Sequence, residues 1–141
     1  MEYSKKGKAP YVLGIHGTPG THDGLTGMMD HYLDKGFGII SPSRPGYSRT
    51  PLLSGRTPAE AADCFAALLD VLEVDKVVVF GASGGGPSAL QFAARHPNRI
   101  HALLLECAVT GSFNHKDYPL GCWDRTLFTS RTLTRFAIWM L

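Results

Sequence analysis

Residues 80–93 read FGASGGGPSALQFA, and four of the first seven are glycine: Gly81, Gly84, Gly85 and Gly86. Ordering a glycine costs more backbone entropy than ordering any other residue, so a cluster of them answers a local demand. The stretch follows KVVVFG (76–81), a β-branched run without alternation, as expected of a strand covered on both faces. A helix is predicted from about Pro87 to Arg95, stopped by His96-Pro97. The turn between them is a phosphate cradle, a dinucleotide fingerprint or a pedestal for Ser83.

A phosphate loop of the form GxxxxGK[ST] uses its lysine to reach the phosphates. GASGGGPS (81–88) has the glycine spacing, but Pro87 replaces that lysine and also removes a backbone donor. A dinucleotide fingerprint is a closer competitor. GGGPSA (84–89) satisfies GxGxxA, and Glu106 follows 22 residues after Gly84 at a strand end, where an acid binds ribose. Its first glycine, however, comes three residues too late after the strand. The third reading is the nucleophile elbow GxSxG, matched by Gly81-Ala82-Ser83-Gly84-Gly85 between a strand and a helix. Its physical basis is steric: the serine stands on a strained turn, and its neighbours two positions away give up their Cβ atoms so strand and helix can pack. The helix N-terminus then points partial positive charge at a developing oxyanion. A plain βα turn with an unreactive Ser83 is the alternative, and a second motif weighs against it.

Outward from the elbow, strands and helices alternate. YVLGIHG (11–17), FGIIS (37–41), KVVVFG (76–81) and RIHALLLECA (99–108) read as about four buried strands. Leu25, Met28, Met29, Tyr32 and Leu33 recur at helical spacing before Gly36. Thr57, Pro58 and Glu60 form a capping box with proline at the first helical position, ahead of the apolar face Ala61, Phe65, Leu68, Leu69 and Leu72. This order predicts an α/β fold with a doubly wound, mostly parallel sheet, its active site at the carboxyl ends of the strands. The segment MEYS reads as the tail of an edge strand. The expected domains are 1–110, the sheet, and 111–141, a loop followed by an apolar helical run.

Bulk composition narrows the function classes. The 141 residues are 44% apolar and 18% charged with a net charge of +2, which fits a globular domain. Lysines and arginines are scattered, so no basic stripe points to nucleic acid. Cys64, Cys107 and Cys122 lack metal-type spacing and read as free thiols in a reducing compartment. MEYSKKGKAP (1–10) is polar and lacks the apolar stretch of a signal peptide, and no run reaches the ~20 apolar residues of a membrane span. A cytoplasmic location, no metal and no cofactor are the expectations. The apolar ending (Phe136, Ile138, Trp139, Met140, Leu141) is an expected surface for self-association, unless it packs on the sheet or the chain is part of a longer one.

The second motif, His16-Gly17-Thr18-Pro19-Gly20, closes the first buried strand. Acyl transfer needs two N–H donors ~3 Å from the oxyanion. Gly84, after the nucleophile, is placed to give one, and the loop beginning at His16 is suited to give the other through Thr18. His16 itself reads as a brace for the loop. Together HGTPG (16–20), SPSRPGYSRT (41–50) and GASGGG (81–86) resemble the α/β-hydrolase superfamily, in particular its HGxPG group of proline iminopeptidases and related esterases. The likeness spans residues 9–108 and implies Ser83 as nucleophile, with Thr18 and Gly84 as oxyanion donors. It implies esters, thioesters, amides or peptides as substrates, Arg44 and Tyr47 as loop-structuring residues, and residues 127–141 as the start of a helical lid.

The family order is serine, acid, then histidine. His96, His101 and His115 follow Ser83, but none has the family's context after a last strand. Glu106, at the end of the strand after the elbow, is the candidate acid; a capping or salt-bridged carboxylate is its alternative. The expectation is therefore a serine hydrolase represented by a truncated, inactive portion, with a non-catalytic binding or assembly module as the competing reading.

Overall fold

The computed structural model describes residues 1–111. The expected lid segment, His115, Cys122 and the apolar C-terminal run lie outside those residues. Met1–Thr110 form one compact unit. Five strands make a single sheet in the order β1-β3-β2-β4-β5: β1 (Tyr3–Lys6), β2 (Tyr11–Ile15), β3 (Gly38–Pro42), β4 (Val77–Ala82) and β5 (Ile100–Glu106). β2 to β5 are parallel, whereas β1 runs antiparallel along β3, pairing Tyr3 with Pro42 and Lys6 with Ile39. The four buried runs are thus joined by β1, where MEYS reads as the tail of an edge strand. YSKK carries no apolar run because an edge strand has one neighbour and stays mostly exposed, and lysines there also discourage pairing with another chain.

The helices cover both faces. On one face α1 (His22–Met28) and α2 (Asp30–Leu33) lie over Val12, Ile39 and Phe80, with Leu25 and Met29 buried. On the other, α3 (Pro58–Val71) and α4 (Gly86–Arg95) bury Phe65, Leu69 and Phe92 against Leu13, Ile15, Ile40, Val77 and Val79. Neighbouring residues of β2, β3 and β4 therefore enter opposite cores, which is why these runs are apolar without alternation. By contrast β5, expected to be buried, is mostly exposed. The periodicity from Leu25 to Leu33 predicts one helix, but the chain breaks at Met29. Gly24 and Gly27 weaken the first half, and Thr21 caps it by accepting from the Gly24 N–H. The α3 capping box is present as the sequence indicates, with Thr57 and Glu60 each accepting from the other's backbone N–H. Among the described residues, no helix is long and apolar enough to cross a membrane.

The connections place the site. From β2 the chain moves outward to β3, then recrosses past β2 to β4 and continues outward to β5. The direction of winding reverses between β2 and β4, the crevice where open α/β sheets take their ligands. The carboxyl ends of these two strands lead directly into His16-Gly17-Thr18 and into Ser83.

Candidate active site

Ser83 sits one residue beyond β4, in a short 3₁₀ turn (Ser83–Gly85) that runs into α4. Its φ of 46° lies in the left-handed region, unusual for a residue with a side chain and a mark of local strain. Exposed at the top of the sheet, its hydroxyl makes no hydrogen bond among the described residues. The flanking glycines answer to crowding. A Cβ on Gly85 would run into the backbone carbonyls of Ile15 and His16, and one on Gly81 would come within 2.6 Å of the Ala89 Cβ. A Cβ on Gly86, which the sequence leaves without a task, would lie 2.7 Å from the Ala108 Cβ and from the Val109 carbonyl oxygen. Behind the turn the Ser83 carbonyl accepts from the Val109 N–H at 2.9 Å and from the Gly86 N–H.

The loop after β2 meets this turn edge to edge. A Cβ on Gly17 would lie 2.8 Å from the Ser83 Cβ, and one on Gly84 would lie 2.9 Å from Thr18 Oγ1. The structure therefore brings Gly17, Thr18, Ser83 and Gly84 together. Neither the Thr18 nor the Gly84 N–H donates to a turn or loop acceptor among the described residues.

His16 and Arg44 hold the arrangement. The His16 ring is fully buried; its Nε2 accepts from the Arg44 N–H at 2.9 Å, which leaves the proton on Nδ1 to donate to Gly17 O at 2.8 Å. Burial pulls its pKa from 6.5 down to about 4, so the ring is neutral near pH 7. The half-buried Arg44 guanidinium donates from Nη1 to Gly84 O at 2.6 Å, and from Nη2 to Thr18 Oγ1 at 2.8 Å and Gly17 O at 3.2 Å. It lies 4.5 Å above the Tyr47 ring, while the Tyr47 hydroxyl and Thr18 Oγ1 share a 2.7 Å hydrogen bond. Loss of hydration lowers the pKa of Arg44. The sequence marks Arg44 and Tyr47 as structuring their own loop; the reach of Arg44 into the elbow, 40 residues away, has no local signature.

The remaining sequence candidates are placed as follows. Glu106 ends β5 opposite Ala82, the residue before Ser83; it is exposed and has no hydrogen-bond or ion-pair partner among the described residues. His96 pairs with Asp63 at 2.9 Å at the far end of α4, and His101 lies near the amino end of β5. No described histidine is hydrogen-bonded to Ser83. Among the described residues, no three His, Cys, Asp or Glu side chains group as metal ligands do.

Comparison with known proteins adds a second line of observation. A family model described as alpha/beta hydrolase fold matches residues 10–131. The chain is 37% identical over 127 residues to the uncharacterized hydrolase YcgS of Bacillus subtilis, covering 86% of this chain and 43% of that protein. It is 33% identical over 91 residues to the bifunctional esterase/perhydrolase DCH of Acinetobacter calcoaceticus, covering 64% of this chain and 33% of the relative. Among solved structures, an alpha/beta hydrolase fold protein from Nakamurella multipartita superposes with a TM-score of 0.82 at 38% identity, over 98% of this chain and 47% of the other. The chain spans less than half the length of each of these proteins.

Proposed function

The chain belongs to the α/β-hydrolase family, and from that premise we propose that it carries the nucleophile half of a serine hydrolase acting on a small ester, amide or peptide. The observation that carries this reading is Ser83 itself: strained at φ 46°, exposed, and set against the Gly17–Thr18 peptide. In the proposed reaction Ser83 Oγ attacks the substrate carbonyl and gives its proton to a base. The oxygen that becomes negative is taken up by the Thr18 and Gly84 N–H groups, which are worth most where water is excluded. Collapse of the intermediate expels the alcohol or amine, which leaves with that proton, and water releases the acyl group from Ser83 in a second cycle. The likeness to the Acinetobacter esterase/perhydrolase supports an ester among the substrates. Glu106, beside Ala82 in the ladder, is the candidate acid.

The base comes from outside the described residues. His16 is committed on both nitrogens and holds its lone pair on Nε2 toward the Arg44 backbone. Of the six histidines of this chain, His115 is the one that lies outside the described residues. Without a base, a serine nucleophile loses most of its turnover, and a residual of roughly 10³-fold over water survives from the oxyanion donors and binding. The described residues alone are therefore poor catalysts in this reading. The same missing contact favours the second reading, a non-catalytic module on a hydrolase scaffold.

Labelling with a fluorophosphonate, with and without added imidazole as a substitute base, separates the two. Phosphonylation mapped to Ser83 and lost in Ser83→Ala supports the hydrolase. Acceleration by imidazole means that the chain lacks its own base. No label on Ser83 even with imidazole rejects the nucleophile and leaves the scaffold module.

A further inference from the structure

We propose that Arg44 is a positioning residue for the two oxyanion-binding amides, an inference that rests on reading Ser83 as the nucleophile. In a trans peptide unit the C=O and N–H point in opposite directions, so holding the carbonyl aims the amide. The Thr18 N–H belongs to the Gly17–Thr18 unit. That unit's carbonyl accepts from both Arg44 Nη2 at 3.2 Å and His16 Nδ1 at 2.8 Å, while its Gly17 end abuts Ser83. Across the crevice, the Gly84 N–H belongs to the Ser83–Gly84 unit, whose carbonyl also has two donors, Val109 N–H and Gly86 N–H. Arg44 secures the far side of this residue through Gly84 O at 2.6 Å. One guanidinium thus ties the loop after β2 to the elbow after β4 and fixes the distance between the two amides.

The charge matters as well as the fork. A hydrogen bond accepted at a carbonyl polarises the whole peptide unit and strengthens its N–H as a donor, most of all when the donor is charged. Other arginines here are neutralised: Arg95 pairs with Asp63 and Arg99 with Asp70, each at 2.6 Å. Arg44 forms no ion pair among the described residues, its partners are neutral oxygens, and its buried Nε has no acceptor. Removing a guanidinium from water without a carboxylate beside it is costly. The positive charge left over lies next to the place where the reaction develops a negative one.

The test compares the maximal rate and half-saturating concentration of Ser83 phosphonylation, with imidazole, in wild type, Arg44→Met and Arg44→Lys. Arg44→Met is expected to lower the maximal rate roughly 10- to 100-fold, approaching the loss of one oxyanion donor. The half-saturating concentration is expected to move less than about threefold, because ground-state binding does not use the effect. Arg44→Lys keeps a charge but cannot donate to all three acceptors, and is expected to lose roughly tenfold. Equal rates in wild type and Arg44→Met overturn the positioning role while leaving Ser83 as nucleophile. Absence of Ser83 label in wild type overturns the nucleophile itself. If circular dichroism shows Arg44→Met unfolded, Arg44→Lys decides: a native spectrum with an unchanged rate overturns the proposal.

Discussion

Ser4 and Ser83 stand in two corners of the domain that surround a serine in different ways. Ser4, on the edge strand β1, has its Oγ 2.6 Å from His22 Nδ1 and donates to Asp23 Oδ1 at 2.9 Å, and the other nitrogen of His22 lies 3.6 Å from Glu2. Ser83 has no histidine within hydrogen-bond reach among the described residues, yet it is the one held at φ 46° against two clasped peptide units. A serine, a histidine and two carboxylates in contact do not make the first corner reactive. Its Oγ is already bonded on both sides, and it sits in an ordinary strand. What distinguishes the Ser83 corner is backbone: glycines that let β2, β4 and α4 approach, and the Gly17 and Gly84 carbonyls held by Arg44. The difference teaches that the costly part of such a site is the preorganised donor set, which loops from distant strands must build together.

The largest effect expected to separate the corners is packing. Gly85→Ala drives a Cβ into the carbonyls of Ile15 and His16, neither of which can move without breaking the β2 end. A loss of about 3 kcal/mol or more in denaturant-determined stability is expected, at the upper end of overpacking effects. In the other corner, Gly27 of α1 has open space around a Cβ, and Gly27→Ala is expected to stabilise by about 0.5–1 kcal/mol. Equal responses would erase the contrast.

The next effect is a pH dependence. Burial holds folded His16 near 4, against 6.5 in the unfolded chain, so between those values the unfolded state binds more protons. This contribution is whole above pH 6.5, declines as the pH falls, and levels off below about 4. At that point roughly 3 kcal/mol has been lost, counting about 1.4 kcal/mol per unit. Urea titrations of wild type and His16→Gln from pH 7 to 4 check it, since the variant should lack this component of the slope. The smallest effect belongs to the Ser4 corner. Ser4→Ala removes two partly exposed hydrogen bonds, should cost about 1 kcal/mol or less, and should leave Ser83 phosphonylation unchanged.

The same two corners show what a sequence can disclose. The strand–turn–helix around Ser83 is legible because its demands fall on consecutive residues: apolar strand, glycines two positions either side of Ser83, then a helix. Thr57, Pro58 and Glu60 are legible for the same reason, since a helix cap is built from neighbours. The role of His16 as a brace agrees with its two backbone hydrogen bonds. Strand β1 is legible only as an edge-strand tail at MEYS, because an edge strand carrying lysines has no buried period to mark its extent. The Arg44 clasp is missed because its acceptors, Gly17, Thr18 and Gly84, lie 26 to 40 residues away and two are backbone carbonyls, which any residue type supplies. Gly86 finds its explanation only in Ala108 and Val109, beyond the next strand.

The central claim is that the glycine-rich turn presents Ser83 for acyl transfer while Ser4 remains inert. It is tested most directly by trapping the acyl-enzyme: incubation with p-nitrophenyl acetate and imidazole, acid quenching, and mass-spectrometric mapping of the acetylated serine. The account predicts acetyl on Ser83 in wild type and in Ser4→Ala, and none at that position in Ser83→Ala. Acetyl on Ser4 with Ser83 unmodified would contradict it.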